Sequence, residues 1–117
     1  MRRQELPPVV QRMYDLAVWL LERVEKFPRS ARYVLGRHVE ETALRILRLL
    51  VQANYTRNRR GLLRRANLEL DQLRFLVRMS MDRGFLAPKQ YAFASEQMTD
   101  VGRQIGGWMK QQAEPTP

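Results

Sequence analysis

Arginine is the residue type in this sequence best placed to do chemistry with a partner. Of the 21 basic side chains, all but Lys26, Lys89 and Lys110 are arginine, and against 12 acidic ones they leave a formal charge of +9. Such a surface attracts polyanions and releases counterions when it neutralises phosphates. A guanidinium also grips phosphate bidentately and lies flat on a nucleobase, so an arginine excess points to nucleic acid, RNA above all. The charge is unevenly placed. No acidic residue occurs between Glu41 and Glu69, and Arg45, Arg48, Arg57, Arg59, Arg60, Arg64 and Arg65 fall in that window. Asn54, Tyr55 and Asn58 are interleaved with them, and amide donors with a stackable ring suit single-stranded or structured RNA. Further on, Arg60, Arg64, Arg74 and Arg78 recur at helical spacing and share one strip, which Asp71 and Asp82 dilute. These nine arginines are the candidate nucleic-acid contacts, with DNA as a second possible ligand. A solvated helix face with local ion pairs would also account for Arg74 and Arg78, and the codon usage of a GC-rich genome for the arginine share as a whole.

Catalysis finds little footing. His38 is the only histidine, it lies among Arg37, Glu40 and Glu41, and there is no cysteine. One histidine without a thiol builds neither the usual metal sites nor a nucleophile–base constellation. The carboxylates are spaced as partners for cations: Glu22 precedes Lys26 by four, and Glu41 precedes Arg45 by four. The expectation is a protein that is not an enzyme and needs no cofactor or metal. The lack of cysteine fits a cytoplasmic location. Arg2 and Arg3 are not followed by an apolar stretch, and the run Leu16 to Leu21 is too short for a signal peptide or a span, so a membrane is not among the expected partners.

The elements that must hold these arginines read as helices. Val9, Val10, Met13, Leu16, Ala17, Leu20, Leu21, Val24 and Phe27 recur at steps of three and four. Leu35, Val39, Thr42, Ala43, Ile46, Leu49, Leu50 and Ala53 form a second stripe, and Leu62, Leu63, Ala66, Leu70, Leu73, Val77 and Ser80 a third. Tyr91, Ala94, Met98, Val101, Ile105, Trp108 and Met109 form the fourth. Pro7-Pro8, Pro28 and Pro88 mark boundaries, and Gly84 fits a left-handed cap with Phe85 folding back on the helix. The spacing predicts one domain over 1–117, with helices over about 8–27, 30–54, 59–83 and 88–111 and a tail over 112–117. Short connections imply antiparallel neighbours, hence an all-α, up-down-up-down four-helix bundle.

There is more apolar surface than one bundle needs. Leu68, Phe75 and Met79 repeat at steps of seven and four, away from the third stripe. Tyr33, Leu44, Leu47 and Val51 stand off the second stripe, and Val18 and Trp19 off the first. Contiguous exposed apolar patches mark interfaces. Trp19, Tyr33, Leu44, Val51, Leu68, Phe75 and Met79 are therefore the candidate oligomer contacts, against the alternative of a broad core that takes them in. Gly102, Gly106 and Gly107 sit inside the fourth helix, each at a cost of about 1 kcal/mol against alanine. Gly102 and Gly106 are four apart and would let another helix approach closely. A phosphate cradle would need a preceding strand and a following Lys-Ser/Thr, and both are missing.

Several strings together resemble a known family. They are Phe27-Pro28-Arg29-Ser30-Ala31-Arg32-Tyr33 with Leu35-Gly36, Ala53-Asn54-Tyr55, Leu73-Arg74-Phe75-Leu76 with Arg78, and Val101-Gly102-Arg103-Gln104-Ile105-Gly106-Gly107-Trp108. The chain from Leu6 to Lys110 is similar to the accessory variability determinants (Avd) of diversity-generating retroelements. Proteins encoded in intervening sequences of ribosomal RNA genes share the Phe-Pro region. The Avd resemblance implies a pentameric ring of basic four-helix bundles. It also implies binding to the retroelement's reverse transcriptase and to nucleic acid in support of mutagenic copying. A ribosomal intervening-sequence bundle, or a purely structural bundle without a polymerase partner, is the alternative.

Overall fold

The computed structural model describes residues 6–113, and these fold as four antiparallel helices with no strand among them. Helix α1 spans Pro8–Glu25, α2 Arg37–Asn54, α3 Arg60–Asp82 and α4 Pro88–Ala113. Each buries the stripe that its periodicity marks. Met13, Leu16, Leu20 and Val24 from α1 meet Val39, Ile46 and Leu50 from α2, and Leu63, Leu70, Leu73 and Val77 from α3 meet Met98, Val101 and Ile105 from α4. Arg12 pairs with Asp100 while Trp19 stacks near Phe93, so α1 and α4 run in opposite directions and close the bundle. No helix among the described residues is long and apolar enough to cross a membrane. Arg2, Arg3 and the tail beyond Ala113 lie outside the described residues.

The helix ends follow from local chemistry. Pro8 stands in the first turn of α1, where its missing N–H leaves no bond unmade. At the end of α3, Gly84 takes φ +82°, the Phe85 N–H donates to the Ser80 carbonyl and the Gly84 N–H to that of Met81. That is a Schellman cap. Its apolar arm is Phe85, whose ring lies 5.4 Å from that of Phe27. Before α4, the Ala87 N–H donates to the Gln90 side-chain carbonyl, the return half of a capping box.

One segment departs from the expected continuous second helix. Helix α1 stops at Glu25, and Pro28 opens a single turn, Arg29–Ala31, followed by a π-helical turn over Arg32–Gly36 before α2 begins. The physical reason is a close approach. A Cβ built on the buried Gly36 would lie 2.7 Å from Val24 Cγ1, closer than real side-chain contacts. The wider turn takes in one extra residue and seats Gly36 against α1. It also leaves Tyr33 and Val34 side by side in solvent, 62% and 66% exposed.

Of the glycines in α4, only Gly102 serves a close approach within the bundle. A Cβ there would meet the Arg74 guanidinium at 2.7 Å and Leu70 at 3.3 Å, whereas nothing lies within 4 Å at Gly106 or Gly107. The expected approach over Gly102 and Gly106 together is thus made at Gly102 alone, and Gly106 stands exposed. Gly36→Ala is expected to cost about 1–3 kcal/mol by overpacking. Gly106→Ala is expected to gain about 0.5–1 kcal/mol by raising helix propensity. Urea denaturation of the two variants beside the parent checks both signs.

Candidate nucleic-acid interface

The nine candidate arginines fall into two groups. Arg45 reaches across to α3 and pairs with Glu69 at 3.1 Å, and that carboxylate is nearly buried. Arg74 donates to the Met98 carbonyl on α4 at 3.2 Å and lies 3.6 Å from Asp71. Arg78 stands 3.9 Å from Asp82. Arg59 is half-buried, its guanidinium 5.2 Å from the centre of the Trp108 ring. These four have work inside the protomer. Arg48, Arg57, Arg60, Arg64 and Arg65 are exposed and form no ion pair among the described residues.

Those five gather at one end of the bundle because the chain reverses there. Helix α2 ends at Asn54, where Thr56 Oγ1 donates to the Gln52 carbonyl, and α3 restarts at Arg60. Arg48 on the last turns of α2, Arg57 in the break, and Arg60, Arg64 and Arg65 on the first turns of α3 therefore share a neighbourhood, with Tyr55 exposed beside them. Glu69, the first acid after the break, is matched by Arg45, so it does little to offset the free cations. The result is a local excess of positive charge facing solvent, able to hold a polyanion.

Two expected helix pairs do not form. Glu41 pairs with Arg37 rather than Arg45, and Glu22 forms no ion pair with Lys26 among the described residues. Glu69 wins Arg45 because a carboxylate half out of water gains more from a guanidinium than an exposed one does. A second network lies between α1 and α4, where Arg12, Arg103 and Gln104 converge on Asp100. Burial pushes the Asp100 carboxyl up, but the hydrogen bonds from Gln104 and Arg103 and the charges of Arg12 and Arg103 outweigh it, so its pKa lies below the ordinary value. Glu40 moves the other way, raised by burial and by the nearby Glu25. His38 is exposed, and no group of three or more His, Asp or Glu that could hold a metal occurs among the described residues.

The candidate interface residues divide similarly. Phe75 is 69% exposed and Leu68 58%, with Met79 beside them on the outer side of α3. Leu44 and Val51 are exposed on α2, as Tyr33 is ahead of it, while Leu47 is half-buried. Trp19 is half-buried, its ring 5.0 Å from that of Phe93 and under the Arg23 guanidinium, so much of it belongs to the α1–α4 seam. Four exposed apolar residues escape the sequence reading, Leu6 ahead of α1 among them. Val34 is turned outward by the π turn, which no periodicity announces. Tyr14 and Phe93 are lone off-stripe residues whose exposure only the packing reveals. Met79 and Val34 line one shallow groove between the lead-in to α2 and the end of α3.

Arg45→Ala is expected to cost about 1–3 kcal/mol by leaving the Glu69 carboxylate short of a partner. Arg48→Ala should be nearly neutral, and thermal melts separate the two. Because the folded pKa of Asp100 is depressed, its ionised form stabilises the fold above the ordinary carboxylate pKa, and that contribution is lost as pH falls through the folded value. Asp100→Asn should therefore lower the melting temperature at neutral pH and make little difference in strong acid. Glu40→Gln should show no such loss at neutral pH, since a raised pKa favours the protonated form in the folded state.

No curated protein matches the chain. A family model described as bAvd-like matches residues 9–112, from the first buried valine of α1 to the last turn of α4. That span covers all four helices, and the chain belongs to the bAvd-like family.

Proposed function

We propose that this chain is the non-catalytic accessory protein of a diversity-generating retroelement. It binds the element's reverse transcriptase and its template RNA or cDNA, and so supports mutagenic reverse transcription. The observation that carries this reading is the family match over 9–112 joined to the five exposed arginines at the α2–α3 end. Arg48, Arg57, Arg60, Arg64 and Arg65 hold the sugar-phosphate backbone. Tyr55 offers a ring beside them. Such contacts carry little sequence information, which suits a protein that accompanies a template rather than reads it.

The working form is a homopentameric ring in the cytoplasm. A ring joins two different patches of each protomer head to tail. The outer side of α3, with Leu68, Phe75 and Met79, is one such patch. Leu44 and Val51 of α2, with Tyr14 and Val18 of α1, offer another. Assembly brings five copies of the arginine cluster to one polyanion and multiplies its avidity.

Light scattering after gel filtration in high salt is expected to give about five times the 13.9 kDa protomer mass. Phe75→Glu is expected to reduce it to a single protomer. A protomer-sized parent would remove the ring. Changing Arg57, Arg60, Arg64 and Arg65 together to glutamine should lower RNA affinity and cut the slope of log K against log salt by roughly 3, at about 0.7 per phosphate contact on a single strand. An unchanged slope would take the nucleic-acid contact away from these residues. Co-purification with the reverse transcriptase of the proposed element tests the polymerase partnership.

A further inference from the structure

At the same end of the bundle as the arginine cluster, Pro7, Pro8, Arg59, Gly107, Trp108 and Gln111 line an open groove. Two features of it bear on what could bind there. The Arg59 guanidinium lies 5.2 Å from the centre of the half-buried Trp108 ring. Gly107 in its wall is exposed inside a helix, with nothing near the position a Cβ would take. A helix interior does better with alanine, so a glycine that faces empty space leaves room for something outside the protomer.

A partner helix would use the glycine but gain nothing from the cation beside the indole. An acidic peptide would meet the charge but gain nothing from the rings. A single-stranded nucleic acid uses both. Its unpaired base lies against the guanidinium and the indole, and its narrow backbone passes over Gly107. Lys110 stands exposed on α4 to meet a phosphate, and Arg57 and Arg60 flank Arg59 in the chain. We propose that the Arg59–Trp108 groove is a stacking site for an unpaired base, which makes the chain's nucleic-acid ligand single-stranded at this point. This rests on the nucleic-acid reading above and deepens it. Bases inside a duplex already stack on their neighbours and cannot enter.

The test measures binding of a labelled oligouridine strand and of a duplex of equal length to the full chain at several salt concentrations. Trp108→Ala is expected to weaken single-strand binding roughly tenfold, within the range for one stacked base, while duplex affinity and the salt slope stay unchanged. Trp108→Phe should retain most of the affinity. Arg59→Lys keeps the charge but loses the plane, and should behave like Trp108→Ala. Gly107→Leu fills the groove while favouring the helix, so it should raise the melting temperature and still weaken single-strand binding. That separates blocking from misfolding. In a Trp19→Phe background Trp108 is the sole tryptophan, and its emission should fall when the strand binds. Equal losses on strand and duplex would overturn the stacking site, as would full affinity in Trp108→Ala with unquenched emission. If the glutamine variants of Arg57, Arg60, Arg64 and Arg65 lose binding while Trp108→Ala does not, the stacking site fails and the polyanion contact stands. If neither set changes binding, both fail.

Discussion

Val24 and Gly36 meet so closely that no side-chain carbon fits between them. The turn from α1 into α2 depends on that contact. Pro28 ends the first helix, and one ordinary helical turn followed by one wide turn brings the chain round until Gly36 faces Val24. From there α2 enters with Val39, Ala43, Ile46 and Leu50 facing inward. The same rotation points Arg45 toward Glu69 on α3 and leaves Arg48 in solvent. A wide turn is a local misfit in hydrogen bonding, and it persists where tertiary packing demands it. Here the demand is the narrow approach of two helices at a proline corner.

The balance between structural and available charge follows from the way four thin stripes make a core. Each helix gives about a third of its circumference to the interior, so cations at the stripe margins come within reach of neighbouring helices. Arg12, Arg45 and Arg74 sit at such margins, and each finds a carboxylate or carbonyl on another helix. Arginines pointing straight out, or lying in the break between α2 and α3, find none among the described residues. The net charge therefore understates how concentrated the free charge is. Half of the described acids are ion-paired along the bundle, while the α2–α3 end carries cations whose nearest acid is already matched.

Helix α4 shows glycine doing two unlike jobs in one stretch. Gly102 is a packing residue, the place where Arg74 and Leu70 of α3 come closest. Gly106 and Gly107, one turn on, have nothing near the position of a Cβ, and Gly107 lines the groove beside Trp108. A side chain there would stand over the groove that Arg59 and Trp108 share. An absence of bulk on the outside of a helix is as much a surface feature as a charge.

Much of the fold was legible in the amino-acid sequence. The inward stripes, the four helices and the Gly84 cap are properties of residues three, four or five apart, and local spacing carries them completely. The excess of apolar residues off those stripes, and the acid-free run of arginine, could also be counted along the chain. Tertiary structure decided the rest. Which arginines stay free depended on Glu69, Asp100 and the Met98 carbonyl, partners 24 or more residues distant from Arg45, Arg12 and Arg74. The π turn that exposes Val34, and the pairing of Arg59 with Trp108, likewise arise only where two helices meet. The period of a helix states which way a side chain points, but not what stands opposite it, because that is set by the register between helices rather than by spacing along one.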